Sequence, residues 1–436
     1  MNLKSSLLLR KFGIVVLSVS MLGLAACSTT EKGAEPKDAA SVPAPPAAAA
    51  PVTLTMYNWG SFTPEDIQQL VVEPLKKKYP HITMQFIDRG TGTLPEDLAA
   101  AGTPIDIILT NVDVIGRFNA LGYMYDMKED LKKANIDTGK IEQAGIERGT
   151  FEGKLVALPF DIVRDALYYN KAIFDRFGVA YPKDGLLWDD VVALAKQLTK
   201  MEGGVQYQGF DPIQILNFAG LTVVDAKTHK PLVGTEPWRS ALELFKQFVS
   251  IPGNEKFSTS IANTGKAFIK DQSVAMTQGD LLGQLRQSAN DLTVNWDLAQ
   301  AASYKGKPNI AGWGQARVFA VTSSSKYKDD AFKVLSVLFS DEVQMQSSKN
   351  GKFSLSKNQA IKDSFGADLP FLKGKNTKAY FKSNPGSPRV ESIYFSEVQK
   401  IFNDRTREYF EGGKDYNTLV REVEEQMQAK LATVAK

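Results

Sequence analysis

Two histidines, His81 and His229, and one cysteine, Cys27, are all the imidazole and thiol chemistry that the 436 residues carry. Two histidines cannot build most zinc sites, and one thiol cannot close an internal disulfide, so a metal would have to be held by oxygen ligands. No metal site is expected. His81 follows Tyr79-Pro80 at the entry to a strand pattern, and His229 stands in the turn-like Lys227-Thr228-His229-Lys230-Pro231; both read as surface loop residues before they read as bases. A Ser-His-Asp set would have to use one of them. No Gly-x-x-x-x-Gly-Lys-Ser/Thr run occurs, and Gly90-Thr91-Gly92-Thr93-Leu94-Pro95 has proline where a dinucleotide loop needs its third glycine. No cofactor is implied. Paired carboxylates stay open in principle, because sequence does not record the separation of two acids.

Binding chemistry is better supplied. Trp59 closes the first strand pattern, Trp313 stands in Gly312-Trp313-Gly314-Gln315, and each could be a flat platform or plain core or rim packing. Asp113 follows a strand and precedes Val114, Phe118 and Leu121, so it could meet a ligand or cap a helix. Asp161 and Arg164 could face a cleft as a charged pair or simply bridge two parts of the fold. Gln278 and Asp280 follow a strand pattern ending at Met276, which favours binding. Arg89 with its Gly-Thr-Gly loop could clamp an acid group or merely turn the chain, and Tyr207 and Gln208 are further loop candidates. Trp188, Trp238 and Trp296 stand in helix or strand patterns and read as core.

The elements that must position these residues begin after a targeting segment. Lys4, Arg10 and Lys11 precede an apolar run from Ile14 to Leu24 that is short for a membrane span. It reads as a signal peptide over residues 1–26. Leu24-Ala25-Ala26-Cys27 resembles the bacterial lipobox, in which the cysteine thiol receives diacylglycerol and becomes the first residue. Cys27 is therefore expected to carry a lipid. Residues 27–51 form a tether: between Ser28 and Pro51, 13 of 24 residues are Ala or Pro, too little apolar surface to fold. Its reach is roughly 25–30 Å.

With the three basic residues of the signal segment removed, 49 Lys and Arg face 49 Asp and Glu. That balance removes the general argument for nucleic acid as a partner. From Val52 onward the pattern reads strand, helix, strand, helix, strand: Val52, Leu54 and Met56 alternate, Thr63-Pro64-Glu65-Asp66 opens a helix that Pro74 should break, and Ile82–Phe86 and Ile105–Leu109 are strand runs. Such an order predicts a parallel α/β sheet with ligands beyond the carboxyl ends of its strands.

Several stretches taken in order resemble the family 1 extracellular solute-binding proteins, the maltose-binding-protein-like receptors of bacterial ABC importers. They are Phe151-Glu152-Gly153-Lys154-Leu155-Val156-Ala157-Leu158-Pro159-Phe160, then Leu167-Tyr168-Tyr169-Asn170-Lys171-Ala172-Ile173-Phe174, Trp188-Asp189-Asp190, Gln278-Gly279-Asp280, and Phe319-Ala320-Val321-Thr322-Ser323. Asp271, Leu187 and Pro104-Ile105-Asp106 depart from the common pattern. The resemblance implies an α/β, two-lobed periplasmic-binding-protein-like fold with hinge segments and an interlobe ligand cleft. It places the N-terminal lobe at 52–158 and 304–348, the C-terminal lobe at 159–303 and 349–436, and hinges near 159–164, 300–303 and 350–353.

Under that resemblance the candidate ligand contacts are Trp59, Arg89, Asp113, Asp161, Arg164, Gln278, Asp280 and Trp313, with a sugar, probed by aromatic faces and fixed polar groups, as ligand. The expected protein is a receptor and not an enzyme: a monomer on the extracellular face of a bacterial membrane, handing a carbohydrate, an oligosaccharide by preference, to the membrane subunits of an ABC transporter. A secreted glycosidase or lyase and a receptor for peptides or polyamines are the competing readings.

Overall fold

The alternation of Val52–Asn58 forms β1, and β1 pairs in parallel with β2 (Ile82–Asp88) and β3 (Ile107–Asn111). The computed structural model describes residues 50–60, 62–256 and 260–434; the signal peptide, Cys27 and the tether up to Ala49 lie outside the described residues. Short strands β4 (Thr150–Phe151) and β5 (Lys154–Leu155) make a hairpin ahead of β6 (Leu158–Ile162). Then come β7 (Ala166–Asn170), the hairpin of β8 (Lys200–Glu202) and β9 (Val205–Tyr207), β10 (Met276–Gly279), β11 (Trp296–Gln300), β12 (Ala316–Val321) and β13 (Phe353–Ser354).

Two sheets carry the fold. The first has the order β13-β6-β12-β3-β1-β2, and the second β10-β7-β11. The parallel expectation describes β1, β2 and β3 alone; β12 runs antiparallel to both β3 and β6, and the second sheet is antiparallel throughout. The cause is where the chain re-enters. Arg317 pairs with Asn111 at the carboxyl end of β3, so a chain returning from the second sheet enters the first at that end and must run backwards.

Thr63 opens its helix as expected: its hydroxyl accepts from the Asp66 amide at 3.2 Å, and the Asp66 carboxylate accepts from the Thr63 amide at 3.1 Å. Pro74 does not break the helix. A wide turn over Gln68–Val72, in which the Glu73 amide donates to the Gln68 carbonyl, leads into Glu73–Lys78 with Pro74 in its first turn, where no amide donor is needed. The core follows the periodicities. The helix Trp188–Leu198 buries Val191, Val192, Ala195 and Leu198, and the helix Glu236–Val249 buries Trp238, Leu242, Phe245 and Val249. Trp188, Trp238 and Trp296 are all buried, each such side chain worth about 3 kcal/mol of transfer free energy.

The chain passes between the sheets at 163–165 and again between β11 and β12. Pro159 to Ile162, expected in a hinge, are strand residues of β6, and Phe353, expected at another hinge, opens β13 beside β6. Local composition concealed this. Pro159 cannot donate to a ladder, and β12 accommodates it with a register shift between Arg317 and Val318.

Candidate functional site

The carboxyl ends of β1 and β2 are fastened together by Asn58. Its amide donates to the Asp88 carboxylate at 2.8 Å and to the Phe62 carbonyl at 3.1 Å, and its carbonyl accepts from the Gly60 amide at 3.2 Å. Trp59 is thereby held just beyond the strand, its own amide donating to Leu109 of β3. The indole is half-buried, meets Phe118 edge-on at 6.0 Å, and carries the Arg89 guanidinium over its face at 4.3 Å. Arg117 lies 5.6 Å from the same ring but is committed to a two-pronged bond with Glu96 at 2.5 and 2.6 Å. Trp59, Gly60, the loop from Arg89 to Gly92, Leu94 and Asp97 line an open recess. Asp97 is occupied there, accepting from the Leu94 amide at the start of the next helix.

Beside this rim runs a strip of charged groups backed by rings. Arg317 of β12 donates to both oxygens of Asp161, its cross-strand partner on β6, at 2.6 and 2.7 Å. Lys352 pairs with Asp66 at 2.9 Å, both nearly without exposure. Phe62 lies under both cations, 5.0 Å from Lys352 and 6.0 Å from Arg317, and packs edge-on against Phe160 and Phe319. Burial, and then the Arg317 charge, push the Lys352 ammonium down to about 8 against the pull of Asp66 and Asp161. Burial likewise pulls Arg317 down, but Asp161 outweighs it and leaves the guanidinium raised. Asp280, half-buried just after β10, is raised by burial although Arg317, Arg286 and Lys352 oppose this. Asp113 is raised by burial too, tempered by the Gln315 amide at 3.3 Å.

Several sequence candidates turn out to be engaged elsewhere. Asp161 and Arg164 do not pair with each other; Arg164 donates to the Ser383 carbonyl at 3.2 Å, lies 5.5 Å from the Phe381 ring, and is lowered by burial. Asp113 does not cap the helix Ile115–Ala120, whose cap position is Val114. Gln278 is inside β10 and not after it, and both ends of its amide bond the Ala302 backbone, at 2.6 and 3.1 Å. Trp313 is only 5 % exposed and belongs to the main apolar cluster. Tyr207 is buried against Phe177, and Gln208 donates to the Lys256 carbonyl. His229 contacts Ser392 at 2.9 Å, and among the described residues no carboxylate pairs with its ring. His81 approaches Asp330 at 3.7 Å.

The residue that sequence reasoning missed is Arg148. It ends the short helix Gln143–Arg148 and is 4 % exposed. Its guanidinium donates to the carbonyls of Gly314 at 3.0 Å, Trp313 at 3.2 Å, Gly386 at 2.6 Å and Ala144 at 2.7 Å. It thus ties the Trp313 loop to two remote segments. The flanking glycines of Gly312-Trp313-Gly314, which signal close backbone approach, were the one available hint.

Two sheets linked by crossings of the chain have known counterparts. The chain superposes on an ABC substrate-binding protein from Listeria monocytogenes in complex with cycloalternan, with TM-score 0.69 and 18% identity, covering 87% of this chain and 99% of that one. A sugar transporter component from Rhizobium etli in an open conformation gives TM-score 0.70 at 19% identity, over 87% and 99% of the two chains. The cyclic alpha-maltosyl-1,6-maltose binding protein from Arthrobacter globiformis gives 0.69 at 16%, over 88% and 99%. These likenesses establish the two-lobed fold. The model of the bacterial extracellular solute-binding proteins matches residues 60–345, well over half the chain. The matched residues include the Arg89 loop, Arg317 and both crossings just described, and the chain belongs to that family of bacterial extracellular solute-binding proteins.

Proposed function

We propose that this protein is the lipid-anchored receptor of an ABC importer and captures a carbohydrate, an oligosaccharide by preference, which it passes on unchanged. The observation that carries the reading is Trp59 at the strand-end rim, its indole and the Arg89 guanidinium stacked at 4.3 Å beside an open recess. An indole or a planar guanidinium offers a flat surface to the C–H face of a sugar ring, and the edge of the guanidinium offers donors to its hydroxyls. Asp280, Arg317 and the Asp113–Gln315 pair add fixed acceptors and donors on the floor. Cycloalternan and cyclic maltosyl-maltose, named with two of the structural counterparts, are saccharides of this size class.

The ligand is bound between the lobes, which close about the crossings at 163–165 and 301–315. Cys27 holds the protein to the outer face of the membrane through its lipid, and the receptor works as a monomer. Titration calorimetry of the mature protein with linear and cyclic gluco-oligosaccharides and with manno-oligosaccharides tests the ligand class. Saturable binding with intact sugar recovered by chromatography is expected. Turnover that scales with protein would move the reading to an enzyme, and tight binding of spermidine or a peptide mixture with none of sugar would move it to another solute. Fractionation and mass analysis of the mature N-terminus test Cys27.

A further inference from the structure

Two crossings of the chain are packed directly on each other. The Val163 amide donates to the Gln315 carbonyl at 2.7 Å, and Gly312 lies so close to the Asp165 carboxylate that any side chain there would collide with it. Asp165 is 5 % exposed, and no described residue donates a hydrogen bond to it. An ordinary buried carboxylate is paired or hydrogen-bonded. The groups that face this one are of the wrong kind: Asp280 at the end of β10, and the phenol of Tyr380, which is bonded to Tyr168 of β7 at 2.5 Å and is itself raised by burial and by both acids. The nearby cations are turned to other work. Arg164 reaches Ser383, Arg148 reaches the carbonyls of Trp313 and Gly314, and Arg317, Arg286 and Lys352 act on Asp280.

We propose that Asp165 is a proton-operated brake on the lobes: with a proton the crossings stay packed, and without it the carboxylate seeks water and the lobes swing apart. The sign follows from linkage. Burial first, and then the Asp280 charge, push Asp165 up to about 8. The packed arrangement therefore holds a proton that a hydrated Asp165 would release, and rising pH shifts the population toward the hydrated arrangement. Asp280 is placed to respond in the same motion, because it belongs to the second sheet while Arg317, which offsets its charge, belongs to the first.

Solution scattering on the mature protein, with no solute added, tests this independently of what the receptor binds. The radius of gyration is expected to rise as the pH climbs from the ordinary carboxylate range, about 4, to about 8 and to level off above that, with an unchanged circular dichroism spectrum. Asp165→Asn, equal in size and without charge, should flatten the profile. Asp280→Asn removes the charge that repels the ionised Asp165, so the rise should be smaller and level off at a lower pH. A wild-type radius that does not vary, a titration that persists in Asp165→Asn, or loss of the dichroism spectrum over the same range overturns the proposal. If Asp165→Asn does not fold, the Asp280→Asn profile decides, and a rise as large as that of the wild type overturns the proposal.

Discussion

Trp59 and Trp313 look alike in sequence, each a tryptophan in a glycine-bearing loop, yet the structure gives them opposite surroundings. Around Trp59 there is open space: the indole is half-buried with the Arg89 guanidinium over its face, and a side chain added at Gly60 would meet nothing within 4 Å. Around Trp313 it is crowded. A Cβ at Gly220 would come within 2.6 Å of the Trp313 Cβ, one at Gly314 would collide with Pro385 and lie 2.8 Å from Ile162, and Arg148 fixes the loop carbonyls from below. A binding platform needs a face that water can leave and a ligand can reach. Trp59 meets that condition better, whereas Trp313 holds together the place where the lobes join.

The contrast can be broken most severely at Trp313. Trp313→Ala is expected to lower the stability of the unliganded protein by about 3–5 kcal/mol through a cavity at the crossings, as Trp188→Ala should in its own core. Denaturant unfolding measures both, and a Trp313 variant as stable as the parent would return that residue to the open cleft. Gly314→Ala combines a left-handed backbone, φ +62°, with the collision at Pro385, and should cost about 3 kcal/mol or more. Arg148→Met leaves four carbonyls without their donor and should cost about 2–4 kcal/mol, with Arg148→Lys restoring only part, since an ammonium cannot span the same fork.

At the rim the expected costs shrink and the functional effects grow. Gly60→Ala, with φ +92° but open space, should cost only about 1–2 kcal/mol. Trp59→Ala should leave the unliganded melting temperature within a few degrees of the parent while abolishing most of the stabilisation by a saccharide, roughly 2.7 kcal/mol at one hundred times its dissociation constant. Calorimetry with and without the saccharide separates the two. Equal loss of stability in the Trp59 and Trp313 variants would erase the distinction between rim and crossing.

What could be read in advance divides along the same line. The positions of Trp188, Trp238 and Trp296 were legible because helix and strand periodicity is a local property, and each residue occupies an apolar position of its own element. The places of Trp59 and Arg89, just after β1 and β2, were legible because a strand end is local too. Asp161 was not assignable, since its partner Arg317 stands 156 residues away and is chosen by the register of β6 against β12. The apolar run up to Met276 marks a strand that ends there and leaves Gln278 in a loop, whereas in the fold the strand starts at Met276 and Gln278 lies inside it. Arg148 carried no local mark at all. A buried arginine that binds only carbonyls has no opposite charge in the sequence to betray it.

The placement of β12 has a consequence for how this chain acquires its shape. It lies between β6 and β3 in the first sheet, so among the described strands the ladder from β13-β6 to β3-β1-β2 runs through residues 316–321. A chain truncated before that strand retains β1, β2 and β3 but exposes the long apolar edge of β3, whose partner comes about two hundred residues later. Neither lobe is therefore a separable folding unit. Closing loops of that length is slow, and the unpaired edge is a template for association with another chain while it waits. Refolding should accordingly be slow and concentration-sensitive, and the order in which the chain emerges leaves its first-made sheet incomplete until the last third has arrived.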